Sequence, residues 1–146
     1  MLWEFLAVPV YLISILFIAY RIAETRKQDY PYYRYYLPGL MVKILGGLLF
    51  TAIYTFYYHG GDCHAYYQGA RSMNALAANE PAVYFSIMAG NTTPENWSYF
   101  TEHTGYPPSY LYVKGGAHFA VSRYISPLLL PALGSMIVAT LLLNCI

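Results

Sequence analysis

The side chains able to do chemistry in this chain lie in one polar stretch, residues 59–125, and Asp62 leads them. A carboxylate can act as a general base on a hydroxyl acceptor, or hold a divalent cation together with other oxygens. His64 follows two residues later, and an Asp-x-His pair can offer a metal two ligands. A divalent cation is the cofactor that such a pair would take. The pattern is short, however, and capping of a helix by itself accounts for an Asp in this position. Arg71 can present a bidentate fork to a phosphate or pyrophosphate, or equally face solvent or lipid phosphate. Glu102-His103 offers a second acid or base, or belongs to an exposed loop, and Lys114 with His118 can meet a lipid-linked anion or simply anchor among headgroups. The candidates are therefore Asp62 for catalysis, His64, Arg71, His103 and Lys114 for substrate, and Asp62 with His64 for metal. Glu80, just before Pro81, reads as a loop charge.

What positions these residues follows from composition. Of 146 residues, 58% are hydrophobic and only 10% charged, against about 25% charged in an average soluble domain. A soluble protein of this size could not bury so much apolar surface. The expectation is an all-α integral membrane protein. Its net charge of +1 says nothing about nucleic acid, but no basic stretch is long enough to track a phosphate backbone, so no nucleic-acid partner is expected. Two cysteines, Cys63 and Cys145, make no disulfide framework. There is no Gly-x-Ser-x-Gly, no phosphate-binding glycine loop and no Cys-x-x-Cys. The 18 tyrosines suit the headgroup level of a bilayer, where an apolar ring with a polar tip is favoured.

A membrane span needs about 20 mostly apolar residues. Three stretches qualify: residues 3–20, 40–58 and 126–146, with a loop over about 59–125 between the last two. The first carries no basic residue ahead of it and no cleavage pattern after it, so it is not a typical signal peptide. Lys43 can snorkel to the interface, and Pro127 and Pro131 would fall in the first turns of the third span, where a missing N–H costs least. Arg21, Arg26, Lys27 and Arg34 separate the first two spans, opposed by Glu24 and Asp29. The positive-inside rule then puts that connection in the cytoplasm, and the long loop on the outer, periplasmic side of the cell (inner) membrane. Tyr30, Tyr32, Tyr33, Tyr35 and Tyr36 would form an inner aromatic belt, and Tyr54, Tyr57, Tyr58, Tyr66 and Tyr67 an outer one. The sequence stops in the apolar run Leu142-Leu143-Asn144-Cys145-Ile146, which reads as a cut inside a larger polytopic protein, or as a small protein ending in the membrane.

Within the loop, residues 62–79 read as a helix with Asp62 as N-cap after Gly60-Gly61. Ala65, Tyr66, Gly69, Met73, Leu76 and Ala77 recur at helical spacing, while His64, Gln68 and Arg71 share another face. Pro81 ends the helix. Residues 91–108 carry turn chemistry and two glycosylation tripeptides, at Asn91 and Asn96. Residues 109–123 read as an amphipathic helix with a polar stripe of Lys114, His118 and Ser122 and an apolar side of Tyr110, Val113, Ala117, Ala120 and Val121. Such a helix lies in the outer interface, or makes a short buried span. About three spans plus one or two interfacial helices is the resulting architecture.

The order of Tyr57-Tyr58-His59-Gly60-Gly61-Asp62, Ala65-Tyr66-Tyr67, Gly105-Tyr106-Pro107-Pro108-Ser109-Tyr110-Leu111 and Ser122-Arg123-Tyr124-Ile125-Ser126-Pro127 resembles the N-terminal part of GT-C glycosyltransferases of the protein mannosyltransferase and aminoarabinose transferase type. The resemblance covers residues 45–146. Tyr106 stands where that family often has His before Pro-Pro, Ser109 replaces a usual Leu, residues 3–20 form an extra leading span, and no clear second acid follows Asp62 at the position of the family's Asp-Glu pair. The resemblance implies a sugar donor on a polyprenyl phosphate and transfer outside the membrane, with Asp62 as general base or metal-binding carboxylate. Arg71 or Lys114 would meet the donor phosphate. The remaining donor-binding elements would lie in further spans of the same protein, without which this segment would be inactive. Two other classes compete: a non-catalytic membrane subunit or assembly protein of an envelope complex, and a transporter segment.

Overall fold

The computed structural model describes residues 2–113 and 116–146, with side chains from Leu6 onward, and over these the chain is all-helical with no strand. Helix α1 covers Leu2–Arg26, and a 3₁₀ turn at Pro31–Tyr35 leads into α2, Tyr36–Ala52, which a π-helical turn at Ile53–Tyr57 prolongs. Then come α3 (Asp62–Asn79), α4 (Pro81–Met88), α5 (Pro94–Trp97), α6 (Ser109–Val113), α7 (Gly116–Leu129) and α8 (Met136–Leu143). The chain divides into two compact units. One holds the residues up to Ile53 together with Ile137–Ile146, and the other is Tyr54–Met136.

Among the described residues two helices are long and apolar enough to cross a membrane: Leu6–Arg26, of 21 residues, and Pro31–Tyr57, of 27. At about 1.5 Å per residue both reach the roughly 30 Å of a hydrocarbon core. Their large side chains point outward, with Leu6, Ile13, Phe17, Val42, Leu45 and Phe50 all more than half exposed. Lipid favours such a surface and water opposes it. Both helices outrun the expected 3–20 and 40–58, because no glycine or proline interrupts residues 21–26 and the 3₁₀ turn at Pro31 feeds straight into α2.

Within the first unit, α2 and α8 meet along small and hydroxyl-bearing residues four apart. Thr51 Oγ1 lies 3.3 Å from Thr140 Oγ1. A Cβ at Gly47 would collide with the Asn144 amide. Where lipid removes the hydrophobic drive for association, close approach over small residues is how helices hold together.

The third expected span, 126–146, is not one helix. Helix α7 ends at Leu129, and α8 has eight residues, about 12 Å of helix. Between them Leu133 and Gly134 adopt positive φ, 52° and 75°. The Gly134 N–H closes the turn on the Leu129 carbonyl at 2.9 Å, and the Tyr67 hydroxyl donates to the Gly134 carbonyl at 2.5 Å. Pro127 thus sits near the end of α7 and Pro131 in the turn, rather than opening a helix. Hydropathy is blind to this; Pro131-Ala132-Leu133-Gly134 is helix-stop chemistry inside an apolar run.

In the second unit α3 is central, packed on α7 and α4. Its bounds and its buried face, Ala65, Gly69, Met73 and Leu76, follow the expected periodicity. Helix α7 is turned the other way round from the expected interfacial helix. Ser122 is wholly buried with Phe119, Ser126 and Leu129, whereas Ala117 and Val121 are exposed and Tyr124 is 76% exposed. His118 is exposed, and Lys114 lies outside the described residues. The reason is the closeness of α3. A Cβ on Gly69 would lie 2.6 Å from Ser122 Oγ and 3.1 Å from Ser122 Cβ, so only small side chains fit between the helices. Further along, Asn74 Nδ2 donates to the Ser126 carbonyl at 2.9 Å and Ser126 Oγ donates to Asn74 Oδ1 at 2.5 Å, with Tyr84 hydroxyl 3.2 Å away. That carbonyl is one of the last four of α7, which lack helical partners.

An aromatic cluster of Trp97, Phe100, Tyr112 and Phe119 closes the core. The Tyr112 hydroxyl donates to the Thr93 carbonyl at 3.1 Å, and burial pushes its pKa up to about 12. The folded state therefore favours the neutral phenol. This contribution is complete below the unfolded value of about pH 10 and is lost as pH rises toward 12. Denaturant unfolding read by tryptophan fluorescence between pH 9 and 11.5 should show the loss. In Tyr112→Phe the difference between the two pH values should shrink, the other tyrosines being common to both proteins.

Candidate functional site

The chain between the second apolar helix and Asp62 is a two-glycine turn. The π-helical turn stops at Tyr57, and the Gly60 N–H then donates back to the Tyr54 carbonyl at 3.2 Å. His59, Gly60 and Gly61 all have positive φ, at 51°, 154° and 99°. A Cβ at Gly61 would lie 3.0 Å from the Tyr54 ring, so glycine is demanded there twice over, by conformation and by space. The turn delivers Asp62 as the first residue of α3.

Gly61, not Asp62, is the N-cap, and no side-chain hydrogen bond caps the helix. The capping expectation is corrected: Asp62 sits one position inside, where its charge meets the positive end of the helix dipole without binding an N–H. Its carboxylate is exposed and has no cationic partner among the described residues. Burial pushes the Cys63 thiol pKa up, and the neighbouring Asp62 charge adds to the rise. Cys63 is thereby held as thiol and is no nucleophile.

His64 is half-buried, and its Nδ1 is buried with no hydrogen-bond partner. Residues two apart on a helix do not face each other. Asp62 and His64 therefore do not converge, and the described residues hold no group of three His, Cys, Asp or Glu able to grip a cation. The Asp-x-His pair does not fit a metal centre. The shared face of His64, Gln68 and Arg71 is only partly free, since Gln68 Nε2 donates to the Tyr106 carbonyl at 3.1 Å and ties the loop down. Arg71 is exposed, with no hydrogen bond or ion pair among the described residues.

His103 lies at the other end of α3. A turn holds it out, with the Thr101 N–H donating to Thr104 Oγ1 at 2.8 Å. It lines an open recess of about 410 Å³ with Leu76, Asn79, Glu80, Ser98, Tyr99, Thr101 and Thr104. Asp62 and Leu76 are 14 positions apart on one helix, about 21 Å of rise. The structure therefore does not gather the expected residues into one site. It leaves an acid at the start of α3 and a polar recess at its end. Glu80, which reads from the sequence as a loop charge, is the residue added to the candidates here. Its φ of −131° makes the corner between α3 and α4, and its side chain joins the same recess as His103. The signal was Pro81: a residue before proline is pushed out of helix, so a charge there is set at a corner rather than along a face.

Arg123 has structural work. Its Nη1 donates to the Ile87 carbonyl at 3.4 Å, in the last turn of α4, where a helix dipole favours a cation. The Asn96 amide is likewise engaged, donating to the Asn91 carbonyl at 2.7 Å, while Asn91 is exposed. Comparison with family models, with curated proteins and with solved structures finds no match to this chain.

Proposed function

We propose that this chain is a membrane-anchored segment of a transferase that uses a sugar carried on a polyprenyl phosphate, working on the outer face of the cell membrane. One observation carries the reading: a lone exposed carboxylate, Asp62, opens a helix five positions after the second apolar helix ends at Tyr57. At that depth it can take a proton from an acceptor hydroxyl beside a lipid-borne donor. Arg71, exposed and uncommitted nine positions along α3, offers a guanidinium to an anion, but that spacing turns it to the opposite face of the helix from Asp62, so it stands apart from the acid. The recess of Glu80 and His103, walled by hydroxyl and amide side chains, suits a hydroxyl-rich group. The resemblance of residues 45–146 to GT-C enzymes points the same way. The test is sugar transfer by membranes carrying the complete reading frame with Asp62→Asn.

A second reading, a non-catalytic subunit of an envelope complex, draws on another observation. Phe85, Val113 and Tyr124 are 68%, 77% and 76% exposed in the second unit, large side chains of the kind that partner proteins cover. Transfer unaffected by Asp62→Asn, with a stable partner co-purifying, would favour it.

A further inference from the structure

We infer that the cytoplasmic end of α1 carries a binding site for the phosphate of an anionic lipid headgroup. Arg21, Ile22, Thr25, Arg26 and Tyr33 line one open cavity of about 430 Å³. Arg21 and Thr25 are four apart and share a face of α1, while Arg26 is its last residue. The chain then folds back, with the Lys27 N–H on the Ala23 carbonyl and the Tyr30 N–H on the Arg26 carbonyl, both at 2.9 Å, and the 3₁₀ turn brings Tyr33 over the cavity.

Both guanidiniums are uncommitted. Neither Arg21 nor Arg26 has a carboxylate partner among the described residues. The nearest acid in the sequence, Glu24, gives both its oxygens to Lys27 at 2.6 Å, and Asp29 does not line the cavity. The Tyr33 hydroxyl is a free donor among the described residues. Thr25 Oγ1 already donates to the Arg21 carbonyl at 2.8 Å and so offers only its lone pairs. Five N–H groups on each arginine plus a phenol match the acceptor oxygens of a phosphate.

The depth is that of headgroups. Tyr30, Tyr32, Tyr33 and Tyr36 pack in a chain with ring centroids 5.3 to 6.2 Å apart beside the cavity. Residues 21–36 hold four cations against two carboxylates. The cytoplasmic leaflet is the anionic one, and basic pockets beside spanning helices on that side take phosphate headgroups. Arginines at a helix C-terminus also satisfy the dipole and the positive-inside rule. What those two effects do not ask for is a hollow lined by a tyrosine and by two arginines that are both left without a carboxylate partner among the described residues.

The test is retention of lipid by the purified full chain, read by native mass spectrometry after exchange from micelles doped with phosphatidic acid. Arg21→Gln and Arg26→Gln should each lower the apparent affinity at least ~10-fold, as a lost charge-assisted fork would. Arg34→Gln is the charge-matched control, since Arg34 is already engaged by the Tyr35 hydroxyl and ring. It should cost no more than the ~5-fold of diffuse attraction to an anionic surface. Equal losses in all three variants would overturn the site and leave only a basic surface. A second arm offers inorganic phosphate at millimolar concentration without lipid. Weak competition there supports a lipid headgroup, whereas binding as tight as to the lipid would overturn the lipid assignment in favour of a soluble phosphate.

Discussion

Alanine at Gly69 should destabilise the unit Tyr54–Met136 by about 2–3 kcal/mol, at the upper end of the usual range for overpacking. The added methyl would lie 3.1 Å from Ser122 Cβ and 3.2 Å from the Phe119 ring, besides 2.6 Å from Ser122 Oγ. The hydroxyl can rotate away. The Ser122 Cβ cannot, because it rides on the backbone of α7, and Phe119 is fully buried with no room to yield. Ser122→Ala should behave in the opposite sense. Its Oγ is buried with no hydrogen-bond partner, so removing it deletes a desolvated polar atom and should be neutral or stabilising by up to ~1 kcal/mol. Combined with Gly69→Ala it should recover part of the loss and not all of it, since the Cβ contact stays. Denaturant unfolding in detergent, followed by Trp97 fluorescence, measures all three. A Gly69→Ala cost below ~0.5 kcal/mol would mean that α3 and α7 are not in close contact there.

Asp62→Asn should lower sugar transfer by the complete protein by at least ~100-fold, the lower end of what a general base supplies. The substitution is nearly isosteric, and Asp62 is exposed without a side-chain hydrogen bond at the helix start. Losing its charge beside the helix dipole costs at most ~1 kcal/mol, which is about 5-fold, so folding cannot imitate the predicted effect. Asp62→Glu, which keeps the carboxylate, should retain measurable activity. His103→Ala, 21 Å or so of helix away by the α3 rise, should raise KM more than it lowers kcat if the recess holds a hydroxyl-rich group.

Much of the fold is legible in local pattern. The extent of helix α3 is legible because Gly60-Gly61 opens it, Pro81 closes it and its apolar positions repeat at helical spacing, although its N-cap is Gly61 rather than Asp62. The two apolar helices were readable because lipid exposure demands sequence that is apolar all round. Helix α7 was misread for a physical reason. A rule that turns polar residues outward assumes water outside, whereas Ser122 and Ser126 face α3 because they are small and Val121 and Tyr124 face out because they are not. The broken run 126–146 was misread because average hydropathy outweighed the helix-stop residues within it. The site was the least legible part. Glu80 and His103 are 23 positions apart and meet only through the path of the chain from α4 to α6, which no local spacing encodes.

Asp62 can meet a donor on the outer face only if the α3 unit lies on that side of the membrane. Single cysteines placed by Glu102→Cys and Gln28→Cys, in a background lacking Cys63 and Cys145, can be probed with a membrane-impermeant maleimide. Label at position 102 in intact cells, and at position 28 only after permeabilisation, is the predicted pattern. Label at position 28 in intact cells with position 102 protected would put the α3 unit in the cytosol and contradict the account.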